Sequence, residues 1–438
     1  MDKDSSTLSG GVALSLSSVI GATAGLLGWV VSTRLVEPAE VGRAAQFVSA
    51  FLMVAGATQL NLGVGLLRWI PKAGRSAGRI VWWALLAIMT LAAGGGLAYA
   101  LALPSIPDSA AGGESFEVGV LLFVAAATGW GAFAVHDFVL LALGRPWWTV
   151  WRNALFAIAR IGLLVGLAGL GAQGIALSWV GPIVVWILAG SLLLAVLIRR
   201  GDRRSQAAAL PSRRDVLGFL GPTAVAQLGT VLLYNQVTVL VTARFGPETG
   251  AQFFIVWQAA TVVDLAATFF LNSLVVAVAR HPDRGDVLAA AARRQLLVLF
   301  LPVLAVGAAV AGPALDLVFG RAYAAAADVL RLLMLGLAFR LIVLHELGVR
   351  QALGRAVAFA RLQLASTVLV AGAVVVVPVG HGTVSDLLPV AGSYVAIQAI
   401  CAAAVLGSSA ARRRSAKTTP RALVNQHPLT PLLKAGCR

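Results

Sequence analysis

The sequence predicts an all-α, polytopic membrane protein with twelve transmembrane helices in two parallel six-helix bundles related by an internal pseudo-two-fold. Three observations predict it. The 438 residues are 59% hydrophobic and only 12% charged, with a mean hydropathy of +0.88. Average globular chains hold roughly a quarter charged residues, so a soluble chain of this balance would have an apolar surface. Apolar stretches of about 20 residues, enough to cross a bilayer core, recur along the chain. Two short signatures also repeat at one offset in equivalent places. The composition excludes a disordered chain, a secreted disulfide scaffold and an ordinary cytosolic enzyme.

The elements follow in order. The start Met1-Asp2-Lys3-Asp4 is too acidic for a secretory leader, so the first apolar run reads as an uncleaved span. The spans of the first half are 8–32, 44–67, 80–103, 118–143, 153–170 and 175–197. Those of the second are 217–242, 252–278, 295–318, 329–353, 362–380 and 384–407. Backbone polar groups find no partners in lipid, so each span is expected to be helical. The expected units are an N-terminal bundle at 1–198, a polar linker at 199–216, a C-terminal bundle at 217–407 and a basic cytoplasmic tail at 408–438.

Charge sets the direction. Lys plus Arg is 34 against 18 acids, a net +16. Twelve spans leave alternate loops on opposite sides, and most of the cations fall on one side: Arg68 to Arg79, Arg145, Arg199 to Arg214, Arg280 to Arg294, Arg350 to Arg361 and the tail. The positive-inside rule then places both termini in the cytoplasm of a cell-membrane protein. It also explains the net charge without nucleic acid, since basic clusters interrupted by spans form no groove-reading module. The cysteines, Cys401 and Cys437, build neither a metal site nor a disulfide framework.

The halves repeat. Ala142-Leu143-Gly144-Arg145 closes span four, and Ala352-Leu353-Gly354-Arg355 closes span ten, 210 residues later. Arg34 and Arg244, at the ends of spans one and seven, share that offset. Six spans per half insert both halves the same way up, giving parallel repeats.

Polar residues mark particular faces. Thr223, Gln227, Thr230, Tyr234 and Thr238 share one face of span seven, and Thr261, Asp264, Thr268 and Asn272 one face of span eight. Span two carries Gln46, Ser49, Gly56, Gln59 and Gly63; span one carries Ser18, Gly21, Gly25 and Gly28. The small-residue stripe of span one fits close helix packing as well as a cavity wall. The larger groups of spans seven and eight favour a water-filled cavity.

On these residues a family resemblance enters. The segment from Ser32-Thr33-Arg34-Leu35-Val36-Glu37-Pro38 to Arg43, with Phe319-Gly320-Arg321-Ala322-Tyr323 and Gln351-Ala352-Leu353-Gly354-Arg355, resembles the oligosaccharide-lipid flippases of the multidrug/oligosaccharidyl-lipid/polysaccharide exporter superfamily. The likeness covers roughly residues 8–406. It implies that spans one, two, seven and eight line a cationic central cavity. It also implies alternating-access flipping of a polyprenyl-linked glycan, beside glycosyltransferases and a polymerase of the same pathway. An ion-coupled multidrug or metabolite antiporter of the same superfamily is the first alternative, and a membrane scaffold for glycan synthases the second.

Ionised side chains at span centres cost roughly 2.5–3.5 kcal/mol on the insertion scale and need a reason. Arg160, Asp264 and Arg340 are central. Asp137 and Glu346 lie towards the basic ends of spans four and ten, after His136 and His345. Asp264, Asp137 and Glu346 are the candidates for ion coupling. Glu346 also has Arg350 four residues on, the spacing of an ion pair. Arg160 and Arg340, with Arg34 and Arg244 at the outer ends of spans one and seven, are expected to contact a pyrophosphate, whose geometry the planar guanidinium matches; for Arg160 and Arg340 the alternative is pairing with carboxylates across helices. Gln227, Tyr234 and Asn272 would bind sugar hydroxyls.

No enzyme is expected. Gly169-x-Gly171-x-x-Gly174 joins two apolar helices instead of following a strand, so it reads as a tight turn. No lysine follows glycine, the five histidines make no zinc spacing, and no cofactor site appears.

Overall fold

The computed structural model describes residues 20–113, 115–202, 210–280 and 285–418. Ser18, Cys437, Arg203, Arg204, Arg284, the start of span one and the tail from 419 lie outside the described residues, as does the side chain of Thr223. Among the described residues the chain is helical, with no strand. Eight stretches of the described residues are long and apolar enough to cross a membrane, and one of them, Pro146–Arg200, holds two helices.

The first lobe begins with α1 (20–35) and α2 (Pro38–Thr58), which starts on proline at its first position, where no amide hydrogen is needed. The expected unbroken span 44–67 is two helices. Leu60 and Asn61 both take left-handed backbone (φ 48° and 57°), and α3 (Leu62–Trp69) resumes after them. Two such residues in succession cannot continue a right-handed helix. There follow α4 (Ala77–Ala102), the short α5 (Ser105–Ala111), α6 (Phe116–Ala142), α7 (Pro146–Leu167) and α8 (Gly171–Asp202). The glycine-rich segment between α7 and α8 is the expected tight turn. Glu40 accepts a hydrogen bond from the Ala172 amide there, 3.0 Å, which satisfies a free donor at the start of α8.

The second lobe repeats the plan. Span seven is α9 (Arg213–Val231), a π-helical turn at Leu232–Gln236, and α10 (Val237–Phe245). Then come α11 (Pro247–Arg280), α12 (Gly285–Ala309), α13 (Ala311–Phe319), the single turn α14 (Arg321–Ala324), α15 (Ala327–Ala352), α16 (Ala356–Val376) and α17 (Leu387–Thr418). Span nine, expected whole at 295–318, breaks at Val310 into α12 and α13. Helices α8 and α17 run past the expected span ends at 197 and 407. Shifted by 210, α15 and α16 coincide with α6 and α7 to within a residue at each end, so the repeat read from two motifs extends to helix boundaries.

The lobes meet mainly away from the Arg-rich loops. Trp29 of α1 packs edge-on against Phe254 of α11, ring centroids 4.5 Å apart. Gly42 of α2 lies so close to α11 that a Cβ there would sit 1.8 Å from the Pro247 carbonyl oxygen. The Tyr99 hydroxyl donates to Gln236 Oε1, 2.8 Å. The contact reaches to Gly56 against Val231. Towards the basic end, residues 21–23 of α1, Gly218 and Gly221 of α9 and Asn272 of α11 are exposed.

Gly42→Val forces α2 and α11 apart and is expected to cost about 1–3 kcal/mol, the usual range for overpacking. Thermal unfolding in detergent reads it; an unchanged midpoint would mean that the helices separate freely.

Candidate functional site

Five helices of the second lobe bring a polar cluster together. Asp264 of α11 faces Arg340 of α15, carboxylate oxygen to Nε 3.5 Å. The Tyr234 hydroxyl donates to the other carboxylate oxygen. Arg340 also donates to Gln363 Oε1 at 3.2 Å and to Ser366 Oγ at 3.5 Å, both on α16. Ser366 Oγ in turn accepts from Gln398 Nε2 of α17, 3.2 Å. Arg340 is 1% exposed. The guanidinium thus exchanges water for one charge partner and two neutral ones, as a buried cation requires.

The π turn aims Tyr234. An extra residue there shifts the register, so Thr238, expected on the same face, is fully buried beyond it. Trp257 Nε1 donates to the Tyr234 carbonyl at 3.2 Å, and Thr367 Oγ1 donates to the Gly229 carbonyl at 2.8 Å. These bonds fix the span around the turn to α11 and α16, and π turns recur at functional sites. A cavity of about 70 Å³ beside the cluster is lined by Thr230, Tyr234, Thr268, Asn272, Arg340 and Gln363 among others. It has room for a few water molecules. Gln227, half-buried one turn nearer the basic end, is not among the residues lining it.

The first lobe differs. Arg160 of α7 is 3% exposed, and no carboxylate pairs with it among the described residues. Its guanidinium carbon lies 3.8 Å over the Trp179 ring of α8, a cation–π contact. On its other side it abuts Gly28 of α1, where a Cβ would come within 2.8 Å of a guanidinium nitrogen. The Arg160 Nε and the Trp179 Nε1 are both buried donors without an acceptor. Around them Trp130, Phe133, Phe156 and Trp179 form a contiguous aromatic group.

The remaining predicted residues are engaged elsewhere. Arg34 crosses to the second lobe and donates to the carbonyls at the end of α13: Asp316 and Val318, each 3.2 Å, and Leu317. Arg244 donates to the Val377 carbonyl, 2.9 Å, and to that of Val374 at the end of α16. Both arginines satisfy orphan carbonyls of helix C-termini, where a cation also suits the dipole. Neither guanidinium is displayed to a central space as expected. Asp137 pairs with Arg152 at 2.7 Å and accepts from Asn153 at 3.1 Å. Glu346 pairs with Arg350 at 2.9 Å, the in-helix ion pair that the spacing allows.

Sequence reasoning missed Gln363, Ser366, Gln398 and Trp179. The first two lie three residues apart in an apolar helix, which was a legible signal. The role of Trp179 depends on where α8 packs.

No protein-family model and no curated protein matches the chain. Solved structures do. The inward-facing conformation of a multidrug resistance MATE family transporter of the MOP superfamily matches with a TM-score of 0.62 at 19% identity, covering 94% of this chain and 100% of that one. The fold is that of the MATE transporters. An outward-facing conformation of such a transporter gives 0.57 at 18% identity, covering 93% of this chain and 95% of the other. A MOP superfamily transporter from Pyrococcus furiosus, whose binding pocket of reversed polarity suggests a different function, gives 0.54 at 18% identity, covering 93% and 96%. This chain, with its MATE fold, is a multi-pass membrane protein.

Removing one member of the buried pair strands the other. Asp264→Asn is expected to cost about 3–5 kcal/mol, and Asp264→Asn with Arg340→Gln less than the sum of the two singles. Detergent melting curves of the four proteins test this; strict additivity would mean that the pair does not act as a unit.

Proposed function

We propose that this chain is an alternating-access transporter of the cell membrane that flips a lipid-linked oligosaccharide or polysaccharide precursor, with both termini cytoplasmic. The observation that carries the reading is the charge pattern inside the lobes. Each of the three interior carboxylates, Asp137, Asp264 and Glu346, has an arginine partner. Arg160 has no acid. The surplus interior charge is therefore positive, and it suits an anionic head group better than a cationic drug, which like charge repels.

The geometry supports the cycle. The lobes touch on the side away from the basic loops and part towards those loops, as in a protein open to the cytoplasm. Gly28 covers Arg160 in this conformation. Cargo phosphate would reach the guanidinium as α1 moves with the lobes, while the cavity beside Tyr234 and Asn272 would accept sugar hydroxyls. Glycosyltransferases and a polymerase of the same pathway would supply and consume the cargo.

A second reading is an ion-coupled multidrug or metabolite antiporter. Its support is the multidrug resistance transporters that share the fold and the hydrogen bond from Tyr234 to Asp264, which a coupling proton would rearrange. The Pyrococcus protein, with its pocket of reversed polarity, supports the view that this fold accepts more than one class of cargo.

Proteoliposomes separate the two. With a fluorescent polyprenyl-diphosphate sugar, the wild type is expected to move label between leaflets. Arg160→Gln should slow this by roughly tenfold or more, the loss of one charged hydrogen-bond donor set, and Arg160→Lys by less. Uptake of a lipophilic cation driven by a pH gradient, with no lipid-linked sugar moved, would replace this reading with the antiporter.

A further inference from the structure

At the basic end of the second lobe, outside the polar cluster, the turn from α15 into α16 bounds a groove of about 760 Å³ lined by Arg350, Gly354, Arg355, Val357, Ala358 and Arg361. Arg350 forms its floor. It is fixed by Glu346 at 2.9 Å and by the Ala358 carbonyl at 2.7 Å, so its own charge is spent. Arg355 and Arg361 are exposed, and no carboxylate pairs with either among the described residues. We propose that this groove binds the phosphate of an anionic phospholipid from the basic leaflet, gripped by Arg355 and Arg361.

Three features point to a lipid. The first is depth. The 210-residue repeat puts Arg361 in the register of Trp151 of α7, which is 67% exposed next to the exposed Trp147 and Trp148. Exposed tryptophans collect at the head-group level, so Arg361 lies at that level too. The second is the surface beneath it. On α16 the residues that follow Arg361 on the same side, Ala365, Val368 and Gly372, are exposed and apolar or small, with Val368 58% exposed. An acyl chain has a bare track along the helix directly below the two charges. The third is asymmetry. The first lobe has Leu140, Arg145 and Trp151 where the second has Arg350, Arg355 and Arg361. Arg152, the other arginine near the first lobe's turn, is buried on Asp137, so only the second lobe displays two exposed arginines there.

A guanidinium pair beside acyl-accessible surface matches the head group of phosphatidylglycerol or a similar anionic lipid. Basic pockets between helices at this interface bind such head groups.

The test uses the full chain purified in detergent, with native mass spectrometry after incubation in equal phosphatidylglycerol and phosphatidylcholine. The wild type is expected to retain phosphatidylglycerol in preference by roughly tenfold, and Arg355→Gln with Arg361→Gln to lose that preference. Arg145→Gln, at the matching turn of the first lobe, should leave it intact. Both residues are exposed, and gel-filtration elution and melting temperature matching the wild type will show that the double variant is folded. If the double variant fails that check, the single variants Arg355→Gln and Arg361→Gln are read instead, each expected to reduce the preference. Equal retention of the two lipids by the wild type overturns the proposal, as does an unchanged preference in the folded variants. Displacement of phosphatidylglycerol by millimolar inorganic phosphate would overturn the lipid assignment in favour of a free-phosphate site. None of these outcomes depends on the transported cargo, so the proposal fails or stands apart from the flippase reading.

Discussion

Hydrocarbon cannot solvate an ionised side chain, and the internal architecture follows from that. A charge at mid-membrane persists only with a partner or an aromatic face. Asp137 and Arg152 tie α6 to α7; Asp264 and Arg340 tie α11 to α15, with Gln363, Ser366 and Gln398 adding α16 and α17. Arg350 joins Glu346 of its own helix to the carbonyl of Ala358 on α16. All of these links stay within a lobe. Those between lobes are of another kind: a ring pair, close glycine contacts, a hydroxyl–amide bond, Gln46 on the Val239 carbonyl and Arg34 on the carbonyls of α13. The charged ties thus hold each lobe together within itself, and the seam between the lobes is built of ring, glycine and neutral contacts.

Much of this was legible in the sequence, because a span is a statement about length and composition. Twelve traverses, their alternation and their repeat needed no tertiary information. The breaks did. A turn of two left-handed residues at Leu60-Asn61 and a π turn at Leu232–Gln236 each change the backbone without changing local hydropathy. Apolar periodicity over 20 residues hardly registers one inserted residue, yet that residue decides whether Tyr234 or Thr238 faces Asp264.

The site was legible in proportion to how strange its residues are in a membrane. Asp264 and Arg340 stood out because each is expensive alone. Gln363 and Ser366 left a weaker trace, three residues apart in an apolar helix, and Gln398 none, because a single neutral polar group in an apolar helix often serves packing. Arg34 and Arg244 were singled out without sign of the carbonyls they bind, for a definite reason. An arginine at a helix end looks the same in sequence whether it greets a ligand or caps another helix. The carbonyls they bind belong to α13 and α16, far along the chain, and no local pattern announces them.

The repeat supplies the scaffold and its violations supply the chemistry. In the register set by Gly144 and Gly354, Arg340 of the second lobe falls on Trp130 of the first, and Ser366 falls on Phe156. One lobe therefore fills its centre with an ion pair and amides, the other with packed aromatic rings. Arg160 falls on Val370, so the cation that lacks an acid has no counterpart either. Two lobes of equal shape thus differ in what they can hold: the second is neutral and hydrogen-bonding, the first carries one guanidinium on an aromatic wall. On the proposed transport reading, a cargo with a charged end and a polar, uncharged body would match that division, because each lobe would then meet the part of the molecule it can desolvate.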